Sequence, residues 1–98
     1  MRSVRHYEVM IILHPTQDER TAATSLDKYL EIIRKDQGTV EKVDVWGKRH
    51  LAYPIEKQEE GVYIVVNLDC ESESVQEMDR LLNLSDAVLR TKVLRTDK

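Results

Sequence analysis

The chain has 98 residues, 41% of them hydrophobic and 34% charged, with a net charge of −3, which excludes a disordered segment and predicts one soluble domain over residues 1–98. A chain of this size buries about 60–70% of the surface it exposes when unfolded, so a single core needs no staple. Cys70 is the only cysteine, which excludes an intramolecular disulfide, a CxxC redox pair and a thiolate zinc cluster, and points to a reducing compartment.

At the amino terminus, Met1-Arg2-Ser3-Val4-Arg5-His6 holds no apolar stretch of signal-peptide length, and no apolar run of about 20 residues occurs further on. A cytoplasmic chain without a membrane partner is expected. The run from Tyr7 to Leu13 is β-branched and apolar and stops at His14-Pro15, which predicts a central strand with Val9, Ile11 and Leu13 on one face. Thr16-Gln17-Asp18-Glu19 fits a capping box, in which the Thr hydroxyl and the Glu carboxylate satisfy free backbone donors at a helix start. Ala22, Leu26, Tyr29, Leu30 and Ile33 then recur at helical spacing, with Gly38 as the stop signal, so the first helix is expected over 17–36.

From Thr39 the pattern turns extended. Val43, Val45, Leu51, Tyr53 and Ile55 share one parity, and Lys42, Asp44, Lys48 and His50 share the other. Gly47 suggests a bulge or bend, and Pro54, which has no N–H to donate, places this strand at a sheet edge. The polar stretch from Glu56 to Gly61 is read as the hairpin connection and Val62 to Asp69 as the third strand. Ser72 or Ser74 caps a second helix carrying Val75, Met78 and Leu82; Ser74 with Glu77 fits a capping box. Asn83-Leu84-Ser85-Asp86 makes a turn, and Val88 to Leu94 alternates as the last strand.

The order βαββαβ predicts an α+β, ferredoxin-like split βαβ fold: a four-stranded antiparallel sheet with both helices on one face and strands one and three central. The other face has no helix to cover it. In that topology the end of strand four lies beside the start of strand one, so Arg2 and Arg5 are expected to approach Lys92, Arg95 and Lys98. Residues 1–6 carry a net +2 and residues 88–98 a net +3, which leaves −8 on the segment between them. Two basic chain ends are thus expected to form one patch on an acidic body, with Lys48-Arg49-His50 as a separate contact at the far, hairpin end.

No catalytic constellation stands out. His6, His14 and His50 lack metal-ligand spacing and have few acidic neighbours in sequence, and Cys70 sits between Asp69 and Glu71, a setting that disfavours a thiolate and suits a buried structural thiol. The fold also hosts metal chaperones, acylphosphatases and RNA-recognition modules. The first needs a cysteine pair, and the second a glycine- and arginine-bearing phosphate loop that His14-Pro15-Thr16-Gln17 does not supply. Tyr63 and Val65 face away from the helices by parity, but the basic, glycine-aromatic signature for base stacking on strand three is missing, which favours a surface or partner contact at Tyr63. Backbone binding through Arg and Lys needs only charge and shape.

Several stretches together carry a resemblance: Arg5-His6-Tyr7-Glu8 before the first apolar run, Val40-Glu41-Lys42-Val43, the run Gly47-Lys48-Arg49-His50-Leu51-Ala52-Tyr53-Pro54-Ile55, Gly61-Val62-Tyr63, and Val88-Leu89-Arg90-Thr91-Lys92-Val93. They resemble the bacterial small-subunit (30S) ribosomal proteins of the S-six family over nearly the whole chain. The resemblance implies a non-catalytic, cytoplasmic ribosome component with no cofactor and no small-molecule substrate. It also implies a partner, the small-subunit protein numbered eighteen, with which it binds the central domain of small-subunit ribosomal RNA.

Carried over on that resemblance, Arg5, Tyr7, Arg90, Lys92 and Arg95 match positions turned toward RNA and partner, and Arg2 joins them at the basic end. The plainer alternative is solvated strand-end charge and, for Tyr7, a core-edge aromatic. Trp46, Lys48, Arg49 and Tyr53 of the hairpin are assigned to partner or RNA, against plain strand packing. Some members have an acidic tail after strand four, where this chain reads Thr96-Asp97-Lys98, so no tail role is carried over. The alternative function is a ferredoxin-like regulatory or ligand-binding domain that self-associates through its open sheet face.

Overall fold

Alternation along the first apolar run decides which way the sheet faces. In the structure, a computed structural model that describes residues 4–96, the run lies in β1 (Val4–Leu13), followed by α1 (Glu19–Lys35), β2 (Thr39–Ile55), β3 (Gln58–Glu71), α2 (Ser72–Asn83) and β4 (Val88–Arg95). The strands form one antiparallel four-stranded sheet in the order β2-β3-β1-β4, the ferredoxin-like arrangement expected from the element order. Pro54 falls on an edge strand, where its missing N–H costs no internal ladder bond.

Val9, Ile11 and Leu13 of β1 and Val62, Ile64, Val66 and Leu68 of β3 form the inner face of the sheet. Against them α1 packs Leu26, Leu30 and Ile33, and α2 packs Val75, Met78 and Leu82, all buried. Each such side chain contributes about 1.5–3 kcal/mol of burial. Tyr29 is half-buried at the edge of this cluster, and the Ala22 side chain lies outside the described ones.

Both helix starts differ from the sequence reading. Asp18 caps α1, its carboxylate accepting from the Arg20 N–H at 2.8 Å, while Thr16 is engaged just before the helix by His14 Nδ1 at 2.9 Å. Neither Ser72 nor Ser74 caps α2, because the helix begins at Ser72 behind Glu71, which makes no side-chain cap bond. Ser74 instead turns inward, and its hydroxyl donates to Asp36 Oδ2 at 2.7 Å, tying the start of α2 to the end of α1.

The end of α1 is a Schellman motif: Gly38 N–H bonds to the Ile33 carbonyl at 2.8 Å and Gln37 N–H to that of Arg34 at 3.0 Å. Gln37, not Gly38, takes the left-handed conformation, with φ 67°. Gly38 is needed for a different reason. A Cβ there would lie 2.7 Å from Ile33 Cγ2 and 2.9 Å from the Asp69 carbonyl oxygen, so the chain could not pass so close to β3.

Strand two departs most from a simple alternation. Val43 and Val45 lie opposite Val66 and Ile64 on the inner face, but between Val45 and Gly47 the register shifts, and Gly47 opposes Tyr63. Trp46 is the extra residue of a bulge, and Gly47 adopts φ 91°, a conformation glycine reaches without strain. The parity that runs unbroken in the sequence from Val43 to Ile55 is therefore broken in the sheet: Leu51, Tyr53 and Ile55 line the opposite face. The polar connection is also shorter than expected. Glu56 and Lys57 alone make the turn, both with positive φ, and β3 already begins at Gln58. The domain, hairpin included, measures 44 × 25 × 22 Å along its principal axes.

Candidate partner and nucleic-acid interface

Among the described residues no helix covers the outer sheet face. Met10 and Ile12 of β1 sit there between Val65 and Tyr63 of β3 on one side and Lys92 and Arg90 of β4 on the other. The returning hairpin adds Leu51, Tyr53 and Ile55 and closes a cleft of about 260 Å³. Its floor is apolar and its β4 rim is cationic.

Two aromatic-cation pairs flank this cleft. The Trp46 ring lies parallel to Tyr63 to within 3°, with centroids 6.3 Å apart. Its indole N–H donates to Asp44 Oδ2 at 3.1 Å, and the Arg49 guanidinium stands 5.8 Å from its centroid. Tyr53, 57% exposed, accepts a hydrogen bond from Arg90 Nη1 and has that guanidinium 6.0 Å from its ring centre. Such pairs are worth about 0.5–1 kcal/mol at exposed sites and fix the orientation of the two aromatic rings. Lys48 opposes Val62 and so projects on the helix side of the sheet, away from Trp46.

At the other end of the sheet the two basic chain ends do meet, in reduced form. Tyr7 opposes Arg95, and the Thr96 N–H bonds to the His6 carbonyl at 2.9 Å. Arg5 and Arg95 line one shallow depression with Tyr7, Glu71, Ser72 and Glu73, on the helix side of the sheet. Lys92, separated from Arg95 by an odd number of positions, faces the cleft instead. The single patch expected from topology is thus split between two faces, and acids dilute its strand-end half. Arg2 and Lys98 lie outside the described residues. Tyr7 is 8% exposed and packs in the core.

A third grouping was invisible in the sequence. His6 opposes Asp69 across β1 and β3 and contacts its carboxylate, and Glu41 reaches the same point from β2. Hydrogen bonding to the Asp69 carboxylate raises the Glu41 pKa above its usual range. The expectation that acids are sparse around the histidines fails here because pairing across strands, not proximity in the chain, supplies them. His14 behaves as expected, absorbed in the turn with Thr16. Cys70 is a buried thiol whose pKa desolvation raises to about 11.

Comparison with known proteins decides among the functions that this fold hosts. The family model for ribosomal protein S6 matches residues 6–95. The chain belongs to the ribosomal protein S6 family. The small ribosomal subunit protein bS6 of Corynebacterium diphtheriae is 74% identical over 95 residues, covering 97% of this chain and 100% of that one. That of Saccharopolyspora erythraea is 62% identical over 92 residues, covering 94% and 78%. Among solved structures, 30S ribosomal protein S6 from Thermotoga maritima superposes with a TM-score of 0.82 at 29% identity, covering 95% of this chain and 88% of that one. The C-terminal domain of MgtC from Mycobacterium tuberculosis, at TM-score 0.63, 12% identity and 94% and 87% coverage, shares the fold alone. With that membership the chain is a structural protein of the small ribosomal subunit, a cytoplasmic ribonucleoprotein component and not an enzyme.

Proposed function

We propose that this chain enters the small subunit as one half of a protein pair. The small-subunit protein numbered eighteen fills the outer-face cleft, and the pair binds the central domain of small-subunit ribosomal RNA. The observation that carries this reading is the cleft itself, an apolar floor of Met10, Ile12, Leu51 and Ile55 left open beside exposed Tyr53 and rimmed by Arg90 and Lys92. An apolar centre with aromatic and arginine anchors is the composition of a protein-protein interface core. RNA contact falls to Arg5 and Arg95 at the strand ends. A domain with net charge −3 binds a polyanion weakly by itself, so the partner supplies the remaining positive charge.

The test titrates a central-domain RNA fragment with the chain alone, the partner alone and both together, across salt concentrations. Tight binding is expected only with both proteins. Leu51→Glu with Tyr53→Ala abolishes the pair. Arg5→Glu with Arg95→Glu leaves the pair intact but weakens RNA binding and lowers the log-log salt slope by about 0.7–0.9 for every phosphate that is no longer neutralised. Full partner binding by the cleft variant, equally tight RNA binding without partner, or a stable homodimer sealed through the cleft refutes the reading.

A further inference from the structure

The His6, Glu41 and Asp69 cluster lies on the outer face near the start of β1, at the opposite end from the hairpin cleft, and takes no part in the interface described above. Each residue comes from a different strand. His6 and Asp69 are directly paired across β1 and β3, while Glu41 is delivered by a second irregularity in β2, where the register shifts between Val40 and Lys42. One imidazole nitrogen and two carboxylate oxygens converge so that all three donor atoms lie within 4.8 Å of one another.

The three groups already engage one another: His6 Nδ1 contacts Asp69 Oδ1, and Glu41 hydrogen-bonds to the Asp69 carboxylate. Asp69 Oδ1, the atom that His6 Nδ1 contacts, is itself buried. An imidazole and two carboxylates set this close share protons, and a divalent cation can replace those protons while engaging the same donor atoms. We propose that His6, Glu41 and Asp69 form a binding site for a divalent transition-metal ion of zinc-like chemistry, with water completing its coordination.

The donor set selects the class of ion. An imidazole nitrogen suits zinc and its neighbours, whereas magnesium and calcium prefer all-oxygen cages with six or more ligands. Zinc takes nitrogen and carboxylate oxygen at about 2.0–2.2 Å, which places tetrahedral donors about 3.3–3.6 Å apart, inside the 4.8 Å that bounds the separations in this cluster. His6 is 56% exposed and Asp69 22%, so solvent has access to the remaining positions. A three-ligand site of this kind binds reversibly and need not be filled for the sheet to form.

The experiment uses the full chain stripped with chelator, titrated with zinc chloride by calorimetry and followed by histidine side-chain NMR. One equivalent is expected to bind and to shift the His6 imidazole signals while those of His14 and His50 stay put; magnesium chloride produces no such shift. His6→Gln and Glu41→Gln, both at exposed positions, and the isosteric Asp69→Asn each weaken zinc binding at least about tenfold and remove the zinc-induced rise in melting temperature. Circular dichroism checks that each variant is folded, and His50→Gln retains full binding. Zinc shifting His50 or His14 in place of His6, wild-type affinity in the three ligand variants, or no zinc binding at millimolar concentration overturns the proposal.

Discussion

Gly47→Ala tests whether one bulge sets both the stability and the binding face of β2. Gly47 holds φ 91° beside the extra residue Trp46, and a side chain with a Cβ in that region costs about 1–2 kcal/mol. For a domain of this size each kcal/mol moves the melting temperature by about 4–8 °C, so a fall of about 4–16 °C is expected. The chain can escape the strain only by undoing the bulge, and a shift of one residue sends every later side chain of β2 to the other face. Leu51, Tyr53 and Ile55 would then leave the cleft that they line. Thermal unfolding gives the first quantity, and the fluorescence of Trp46, the sole tryptophan, reports its stacking on Tyr63. Titration with the proposed partner measures the weakening of binding. Lys48→Ala, at the exposed neighbour, serves as control and stays within about 0.5 kcal/mol of wild type. If Gly47→Ala melts within about 1 °C of wild type and keeps its partner affinity, the bulge does not control the face.

Other expectations follow from the packing. Gly38→Ala brings a Cβ against Ile33, Cys70 and the Asp69 carbonyl, and because the last is backbone the overpacking costs about 1–3 kcal/mol in urea unfolding; an unchanged midpoint contradicts the close approach of α1 to β3. Ser74→Ala removes the hydroxyl that donates to Asp36. The Asp36 carboxylate is exposed and rehydrates, so the destabilisation is about 1 kcal/mol, and a double-mutant cycle with Asp36→Ala should return a coupling of similar size. Cys70 should resist a thiol reagent at pH 8 in the folded chain and react at once in urea. Its thiol ionises near 9.0 when unfolded and about 11 when folded, so its contribution to stability is complete below pH 9 and declines as pH rises through that interval.

The element order and the inner face were legible because they depend on local periodicity: Val9, Ile11 and Leu13, or Val75, Met78 and Leu82, announce their faces without reference to the rest of the chain. Caps were less legible. Thr16 and Ser74 each sit three residues before a glutamate, which is the pattern of a capping box, yet a neighbouring imidazole and a distant carboxylate claim their hydroxyls. The Gly47 bulge was signalled by the glycine, but its consequence, a reversed face from Leu51 onward, depends on pairing with β3 that the sequence does not display. The cluster of His6, Glu41 and Asp69 was hidden for the same reason, since its members lie in separate strands and meet only through register.

Register also explains why the basic residues of β4 lie on two surfaces rather than in one patch. Arg95 opposes Tyr7 and Lys92 opposes Met10, and the odd spacing between the two cations places them on opposite faces of β4. A polyanion lying on one face of this thin body therefore meets either Arg5 and Arg95, beside Glu71 and Glu73, or Arg90 and Lys92, at the rim of an apolar cleft. Neither pair alone offsets an acidic body against a phosphate chain. On the proposal made above, a basic protein seated in the cleft would change that balance by covering the apolar floor and extending positive charge from the β4 rim. On that proposal, binding RNA only as a pair follows from where alternation puts Arg90, Lys92 and Arg95.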